Sequence, residues 1–452
     1  MRVLLIQPPS CDPLIDQFFL FEPLALEYLG AGLKLDGHLV EVLDARLESD
    51  IEEACHRFRP QLVGLTGFTS HVNIVKRIAE RLKELYPKLC VVVGGHHATV
   101  QPEDFNEPTV DAIVIGEGVF TLREIACASE AGSSLREITG IAVPGPDGML
   151  FTAARRYTDL GALPFPDRTL TARYRKHYFS EWFKPLASVR TSLGCTARCN
   201  FCALWSITGG KYLRRDPVAV VEELRTIAEP NVFFCDDESM CDAKRMNRLA
   251  DLIREAGIRK NYFLYARVDT IVKHPELFTK WAGIGLSQVF VGMEDFSDAR
   301  LAAMNKGVTT AQQIKAVQIL DKLGVMMYAS YMVDPAYTRE DFRHLLAYVR
   351  QLKHKYATFT VMTPLPGTRL HAERERELLS RKPELYDMLH ALLPTRLPPA
   401  EFYQEIANLW AKAVPFHRII PTLARFGLRG MLQRIRLFGL VLKKIRAAHL
   451  DY

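Results

Sequence analysis

Residues 191–202 read Thr191-Ser192-Leu193-Gly194-Cys195-Thr196-Ala197-Arg198-Cys199-Asn200-Phe201-Cys202, a Cys-x3-Cys-x2-Cys triplet. A four-iron cluster normally takes a cysteine at each iron. Three thiolates therefore leave one iron open to a reacting molecule, much as an open coordination position marks a catalytic metal. The triplet points to chemistry rather than to simple electron transfer. A zinc knuckle or a set of buried thiols is the bland alternative. No fourth ligand follows at zinc-like spacing, because Cys235 and Cys241 lie far along the chain on either side of an acidic loop.

Upstream of the triplet, short apolar strands alternate with helical segments, the pattern of an α/β doubly wound, Rossmann-like parallel sheet. Residues 2–7, 39–43, 62–66, 90–93 and 113–115 read as strands and 24–35 as a helix. The strands end in Pro8-Pro9-Ser10, Thr66-Gly67-Phe68-Thr69-Ser70, Gly94-Gly95-His96-His97-Ala98-Thr99 and Gly116-Glu117-Gly118. Ligands of such sheets lie beyond the carboxyl ends of the strands, where glycine permits close approach and helix starts offer N–H groups.

Between that sheet and the triplet, a linker carries Pro144, Gly145, Pro146 and Gly148, then Leu163-Pro164-Phe165-Pro166-Asp167-Arg168. After the cysteine loop the alternation resumes, as in a partial (β/α) barrel. Residues 231–235 lead into Asp236-Asp237-Glu238, 263–265 into Arg267-Val268-Asp269, and 288–291 into Gly292-Met293-Glu294-Asp295. Polar groups at the carboxyl ends of barrel strands are placed to meet a ligand. Farther on, Leu428, Met431, Leu432, Ile435, Phe438, Leu442 and Ile445 recur at three- and four-residue spacing, with Arg429, Arg436, Lys443 and Lys444 on another side. Such a basic amphipathic helix lies on an anionic membrane surface or packs on the barrel with a solvated basic face. Gly427, Gly430 and Gly439 weaken it.

With Phe201 just before its last cysteine, the triplet resembles the signature of the radical S-adenosylmethionine enzymes. The loops upstream resemble the cobalamin-binding domain of the cobalamin-dependent subgroup, Gly94-Gly95-His96-His97 and Gly116-Glu117-Gly118 most clearly. The resemblance implies a 4Fe-4S cluster on Cys195, Cys199 and Cys202, the catalytic centre. It implies S-adenosylmethionine beside Phe201, Asp236, Glu238, Arg267 and Glu294. It also implies cobalamin against Thr66, Thr69, Ser70, Gly94, Gly95, His97, Glu117 and Gly118. The domains expected are a cobalamin-binding domain over 1–150, a linker over 151–185, a radical S-adenosylmethionine barrel over 186–375, and a helical C-terminal region over 376–452 with the basic tail.

Two segments depart from the family pattern. The Asp-x-His-x-x-Gly motif that ligates cobalt from below in methionine-synthase-like domains is missing, since Asp36-Gly37-His38 is followed by Glu41 where glycine is required. Cobalt is therefore expected without a histidine ligand. In Val333-Asp334-Pro335-Ala336-Tyr337-Thr338-Arg339-Glu340-Asp341, Asp334 and Ala336 replace the glycines of a family loop, whereas Thr363-Pro364-Leu365-Pro366-Gly367-Thr368 matches its counterpart closely.

Length and composition suit a large enzyme of a reducing compartment. The chain has 452 residues, 48% hydrophobic, and nine cysteines, an odd number that gives no disulfide framework. Residues 1–9 form too short an apolar run for a signal peptide, and no stretch is long enough for a spanning helix. Of the net charge of +6, residues 406–452 carry +8 and the preceding chain −2. That distribution argues against a nucleic-acid partner at the active site. The resemblance implies a cobalamin-dependent methyltransferase acting on an unactivated carbon, fed by a flavodoxin- or ferredoxin-type electron donor. The tail and the Leu393–Pro398 segment with Glu401-Phe402-Tyr403 suggest a hydrophobic or lipid substrate, in a chain that resembles the hopanoid C-3 methylases, and a cytoplasmic enzyme peripheral to the inner membrane face. An oxidative cyclase and a non-catalytic cobalamin sensor remain alternatives.

Overall fold

The computed structural model describes residues 1–155, 159–353, 356–413 and 419–452. Residues 156–158 of the expected linker, residues 414–418 of the expected helical region, and the side chains of 419–426, Arg425 among them, lie outside the described set. Two compact units are present: Met1–Gly194 with Ala203–Asn231, and Cys195–Cys202 with Val232–Tyr452.

The first unit holds a seven-stranded sheet of β1 (Arg2–Gln7), β2 (Leu39–Asp44), β3 (Leu62–Thr66), β4 (Cys90–Gly94), β5 (Ala112–Val114), β6 (Ile141–Val143) and β7 (Leu150–Phe151). The order is β2-β1-β3-β4-β5-β6-β7. The four ladders among β1 to β5 are parallel, and the last two are antiparallel. The run Val3-Leu4-Leu5-Ile6 is apolar throughout because both faces of the sheet are covered. Leu4 and Ile6 pack with Val63, Val91 and Val93 on one face, while Val3 and Leu5 pack with Leu26, Leu33 and Val92 on the other. Each such side chain contributes about 1.5–3 kcal/mol on burial. The order 2-1-3-4-5 reverses direction between β1 and β3, and the crevice beyond that switch point is where such sheets take their ligands.

Units and expected domains are drawn differently. Pro144 and Gly148 lie in the turn of the antiparallel hairpin β6/β7, and residues 159–185 of the expected linker belong to the first unit. Buried ion pairs hold them there. Arg175 bonds Glu22 at 2.7 Å and Glu229 at 2.5 Å, and Arg168 bonds Glu223 at 2.7 Å and the Ser188 carbonyl at 2.6 Å. Glu223 also pairs with Arg215.

In the second unit, β8 (Asn231–Phe234), β9 (Asn261–Tyr265), β10 (Leu286–Glu294), β11 (Met326–Val333) and β12 (Tyr356–Val361) follow one another in the sheet. The ladders β9/β10, β10/β11 and β11/β12 are parallel. Helices such as Ala243–Glu255, Thr310–Lys322 and Arg339–Leu352 connect them, giving the expected partial barrel. Asp334 and Ala336 cost that barrel no strain, because neither takes a left-handed backbone. The Ala336 N–H donates to Asp334 Oδ1 at 2.8 Å. Helices Pro399–Ala413 and Ile419–Ala447 complete the unit. The second is broken at Gly427 (φ 66°, ψ 177°), while Gly430 and Gly439 remain helical. No helix among the described residues is long and apolar enough to cross a membrane.

Candidate active site

The cysteine loop is pinned to the second unit through its backbone. Asn200 donates from N and Nδ2 to the Met304 and Ala303 carbonyls, both at 3.1 Å. Asn305 Nδ2 donates to the Arg198 carbonyl at 2.7 Å, and the Leu370 N–H donates to the Asn200 carbonyl at 2.9 Å. That last bond ties the Thr363–Thr368 segment to the cysteines, because Thr368 caps the helix on which Leu370 lies. Cys195, Cys199 and Cys202 are half-buried and form no disulfide. The Ala197 N–H lies 3.5 Å from Cys195 Sγ, and Arg267 Nη1 donates to Cys199 Sγ at 3.8 Å. Burial pushes the Cys195 thiol up, opposed by that N–H. The Phe201 ring packs on Met304, Met332, Met362 and Leu370.

Beyond β8, β9 and β10 the site is built from buried charge. Asp236 and Glu238 are each 1% exposed. Glu238 Oε1 accepts from the Arg267 N–H at 3.4 Å, while Oε2 is buried without a hydrogen-bond partner. Burial raises the Glu238 carboxyl to about 7 against that N–H, the Thr270 hydroxyl and the Arg267 charge. The Arg267 guanidinium reaches Asp269 at 2.9 Å and the Lys306 carbonyl at 2.7 Å. Glu294, at φ 63°, ends β10 on a register shift and pairs with Lys306 Nζ at 2.5 Å. Gly292 makes that pair possible, since a Cβ there would collide with Glu294 Oε1. A side chain held in left-handed backbone, buried and ion-paired, is strain of the kind that gathers at functional sites.

The first unit's edge is different. At Gly95 (φ 97°) a Cβ would collide with Thr66 Oγ1, so only glycine lets the β3 and β4 loops meet. Phe68, beyond β3, is 61% exposed, and the His96 ring lies 5.5 Å from it. Burial holds the His96 imidazole down at about 4, hence neutral. Two expected corrin contacts have their side chains committed inside the protein. His97 is buried between Thr69 Oγ1 at 3.1 Å and Asp104 at 2.8 Å, and Glu117 caps the helix Gly118–Ala131 by accepting from the Val119 and Phe120 N–H groups at 2.6 and 3.1 Å. With both ring nitrogens occupied, His97 offers none to cobalt.

Thus Phe201, Asp236, Glu238, Arg267 and Glu294 fall in the second unit with the cysteines, and Thr66, Thr69, Ser70, Gly94, Gly95, His97, Glu117 and Gly118 at the first unit's strand ends. Sequence reasoning missed Lys306, Phe68 and Cys241. Cys241, set aside for its distance along the chain, lies 3.6 Å from Thr196 Oγ1 in the cysteine loop, its thiol pushed up to about 11 by burial. Three half-buried thiols plus an unpartnered buried carboxylate oxygen suit a cluster carrying a cationic amino-acid ligand. The glycine cradle beside an exposed aromatic suits a broad, partly apolar macrocycle.

Comparison with known proteins agrees. Residues 18–126 match the B12 binding domain and residues 189–349 the radical SAM superfamily. An uncharacterized methyltransferase of Pyrococcus horikoshii is 31% identical, the alignment covering 82% of each chain. The hopanoid C-3 methylase of Methylococcus capsulatus is 29% identical over 90% of this chain and 79% of its own. Anaerobic magnesium-protoporphyrin IX monomethyl ester cyclases are also relatives, at 26% identity or less. Among solved structures, the radical S-adenosylmethionine methyltransferase TsrM from Kitasatospora setae shares the fold, with a TM-score of 0.73 at 20% identity over 99% of each chain. The chain belongs to the cobalamin-dependent radical S-adenosylmethionine methyltransferase family, whose cofactors are a 4Fe-4S cluster, S-adenosylmethionine and cobalamin.

Proposed function

We propose that this protein methylates an unactivated carbon of a hydrophobic, hopanoid-like lipid. The observation that carries the reading is the similarity to the hopanoid C-3 methylase along 90% of this chain. When bound, the cofactors supply hydrogen-atom abstraction and the methyl group, with electrons from a flavodoxin- or ferredoxin-type donor. The protein positions and shields the reacting atoms.

Cys195, Cys199 and Cys202 would hold the cluster, which supplies an electron to bound S-adenosylmethionine. Glu238, with its unpartnered oxygen, and Asp236 receive the ammonium of S-adenosylmethionine. Arg267 bridges Cys199 to that site and meets the carboxylate, Glu294 is held by Lys306 for the ribose, and Phe201 walls the pocket. In residues 1–150, the backbone at Thr66, Thr69, Ser70, Gly94, Gly95 and Gly118 would cradle cobalamin.

Incubation of reconstituted protein with reductant, methyl-deuterated S-adenosylmethionine and a hopanoid tests this. The product should gain a deuterated methyl group, with 5'-deoxyadenosine released. The cyclase relatives favour a second reading, ring formation. A product lighter by hydrogen and free of deuterium would establish it. Absence of 5'-deoxyadenosine with every substrate would leave a cobalamin-binding sensor.

A further inference from the structure

We infer that residues 428–443 form a docking face for an anionic lipid bilayer. The helix Ile419–Ala447 breaks at Gly427, and beyond the break it has two apolar sides. One is spent inside the protein: Ile445 is 3% and Ala448 1% exposed, with Met431, Phe438 and Leu442 half-buried. The other is not. Leu428, Leu432 and Ile435, spaced four and three apart on one line, are 63%, 56% and 54% exposed. A contiguous exposed apolar strip is not left to water without a partner.

The charge beside the strip says which partner. Arg429, Arg436 and Lys443 repeat every seven residues, which keeps them on one neighbouring side, and all three are exposed. Among the described residues none of the three has an ion pair, and residues 419–447 contain no Asp or Glu to supply one locally. A second copy would bring its own +8 segment against this one. A surface of anionic headgroups instead accepts the leucines among its acyl chains while neutralising the flanking cations. The inference rests on the tail alone, so an enzyme acting on a water-soluble substrate would still show it.

Flotation of the full-length, cluster-loaded protein with vesicles tests it, using phosphatidylcholine alone and phosphatidylcholine mixed with phosphatidylglycerol. The protein should rise with the anionic vesicles and much less with the neutral ones. Arg429→Gln/Arg436→Gln/Lys443→Gln should bind about a hundredfold more weakly at low salt, from about fivefold per basic residue near the surface. Leu428→Ser/Leu432→Ser/Ile435→Ser should lose the part of binding that survives high salt. Both triples spare Ile445 and Ala448, and unchanged circular dichroism and iron content would show that they fold. Intact protein that stays at the bottom with anionic vesicles at low salt, or triple variants that float as well as the parent, would overturn the inference. Concentration-dependent dimerisation lost in the serine triple, without flotation, would overturn it too and assign the strip to a second copy.

Discussion

At the carboxyl ends of β3 and β4 the groups named for the site are Thr66, Thr69, Ser70, Gly94 and Gly95, uncharged and small, and what they offer is mainly backbone. Beyond β8, β9 and β10 the groups are Asp236, Glu238, Arg267, Glu294 and Lys306, charged and largely buried. Both sets end parallel strands, yet they fail in opposite ways when changed. The first is sensitive to added atoms, because a Cβ has nowhere to go at Gly95. The second is sensitive to removed ones, because a buried charge left without its partner costs about 3–5 kcal/mol. On the proposed assignment, a macrocycle would be accommodated by shape, whereas a small zwitterion at a cluster would be held by charge.

The sharpest way to break this comparison is through the cysteines. Replacing Cys195, Cys199 or Cys202 with Ala should abolish cluster assembly and 5'-deoxyadenosine formation. Bound cobalamin should persist, since the loops proposed to hold it belong to the other compact unit. Iron and cobalamin content of the purified variants checks both halves. A triple-Ala protein that still cleaved S-adenosylmethionine reductively would remove the assignment.

Next in size is Gly95→Val. Left-handed backbone costs a β-branched residue about 1–3 kcal/mol, and the collision with Thr66 Oγ1 adds to it. Cobalamin affinity should fall at least tenfold while cluster content is unchanged. Thr69→Ala, which removes atoms instead, should cost far less. If the two variants retained cobalamin equally, the first site would not be a matter of space. In the same protein, electron paramagnetic resonance of bound cob(II)alamin should show no histidine nitrogen splitting, as the missing Asp-x-His-x-x-Gly motif implies; His97 is spent on Thr69 and Asp104, so any splitting seen would point to His96.

What could be foreseen of these sites divides along the same line. The strand runs, the glycine loops and the cysteine triplet are local patterns, and all five upstream strands fell within two residues of their expected ends. Long-range pairs leave no local trace. Lys306 lies 12 residues beyond Glu294 with nothing in the intervening spacing to join them, and Arg175 meets Glu22 across 153 residues. Residues 159–185 show the same limit: their prolines and glycines are visible in the sequence, while the buried ion pairs of Arg168 and Arg175 are not. Cys241 is 45 residues from Thr196 along the chain, yet the fold brings the two side chains together.

The Glu294–Lys306 pair sharpens the charged half of the comparison. Lys306→Met leaves Glu294 buried without its cation and should destabilise the protein by about 3–5 kcal/mol. Glu294→Gln/Lys306→Met should recover much of that loss in thermal unfolding, because neither charge then remains unpaired. S-adenosylmethionine affinity, measured by equilibrium dialysis, should stay low in the double variant if Glu294 contacts the ligand. Full recovery of both stability and affinity would make the pair purely structural.

The smallest effect concerns the chain's last residues, where charge is again used but in a half-solvated setting. His390 Nδ1 meets Asp387 and its Nε2 meets Asp451, each at 3.0 Å, and the Tyr452 hydroxyl donates to the Ala391 carbonyl at 2.8 Å. Burial opposes a charged imidazole, but the two carboxylates outweigh it and hold His390 above its ordinary value. A raised folded value means the stabilisation is complete below the unfolded value near 6.5 and is lost as pH rises through the folded one. Asp387, held below its usual range, titrates only in strong acid and does not enter this window. Because Asp451 is half exposed, screening limits the contribution of its pair to about 1 kcal/mol or less. Limited proteolysis of the C-terminal helix should therefore be slower at pH 6 than at pH 9 by a few-fold. In Asp451→Asn the dependence should shrink, while Tyr452→Phe should raise cleavage at both pH values alike. Equal cleavage of the parent protein at the two pH values would mean that His390 does not hold the terminus by its charge.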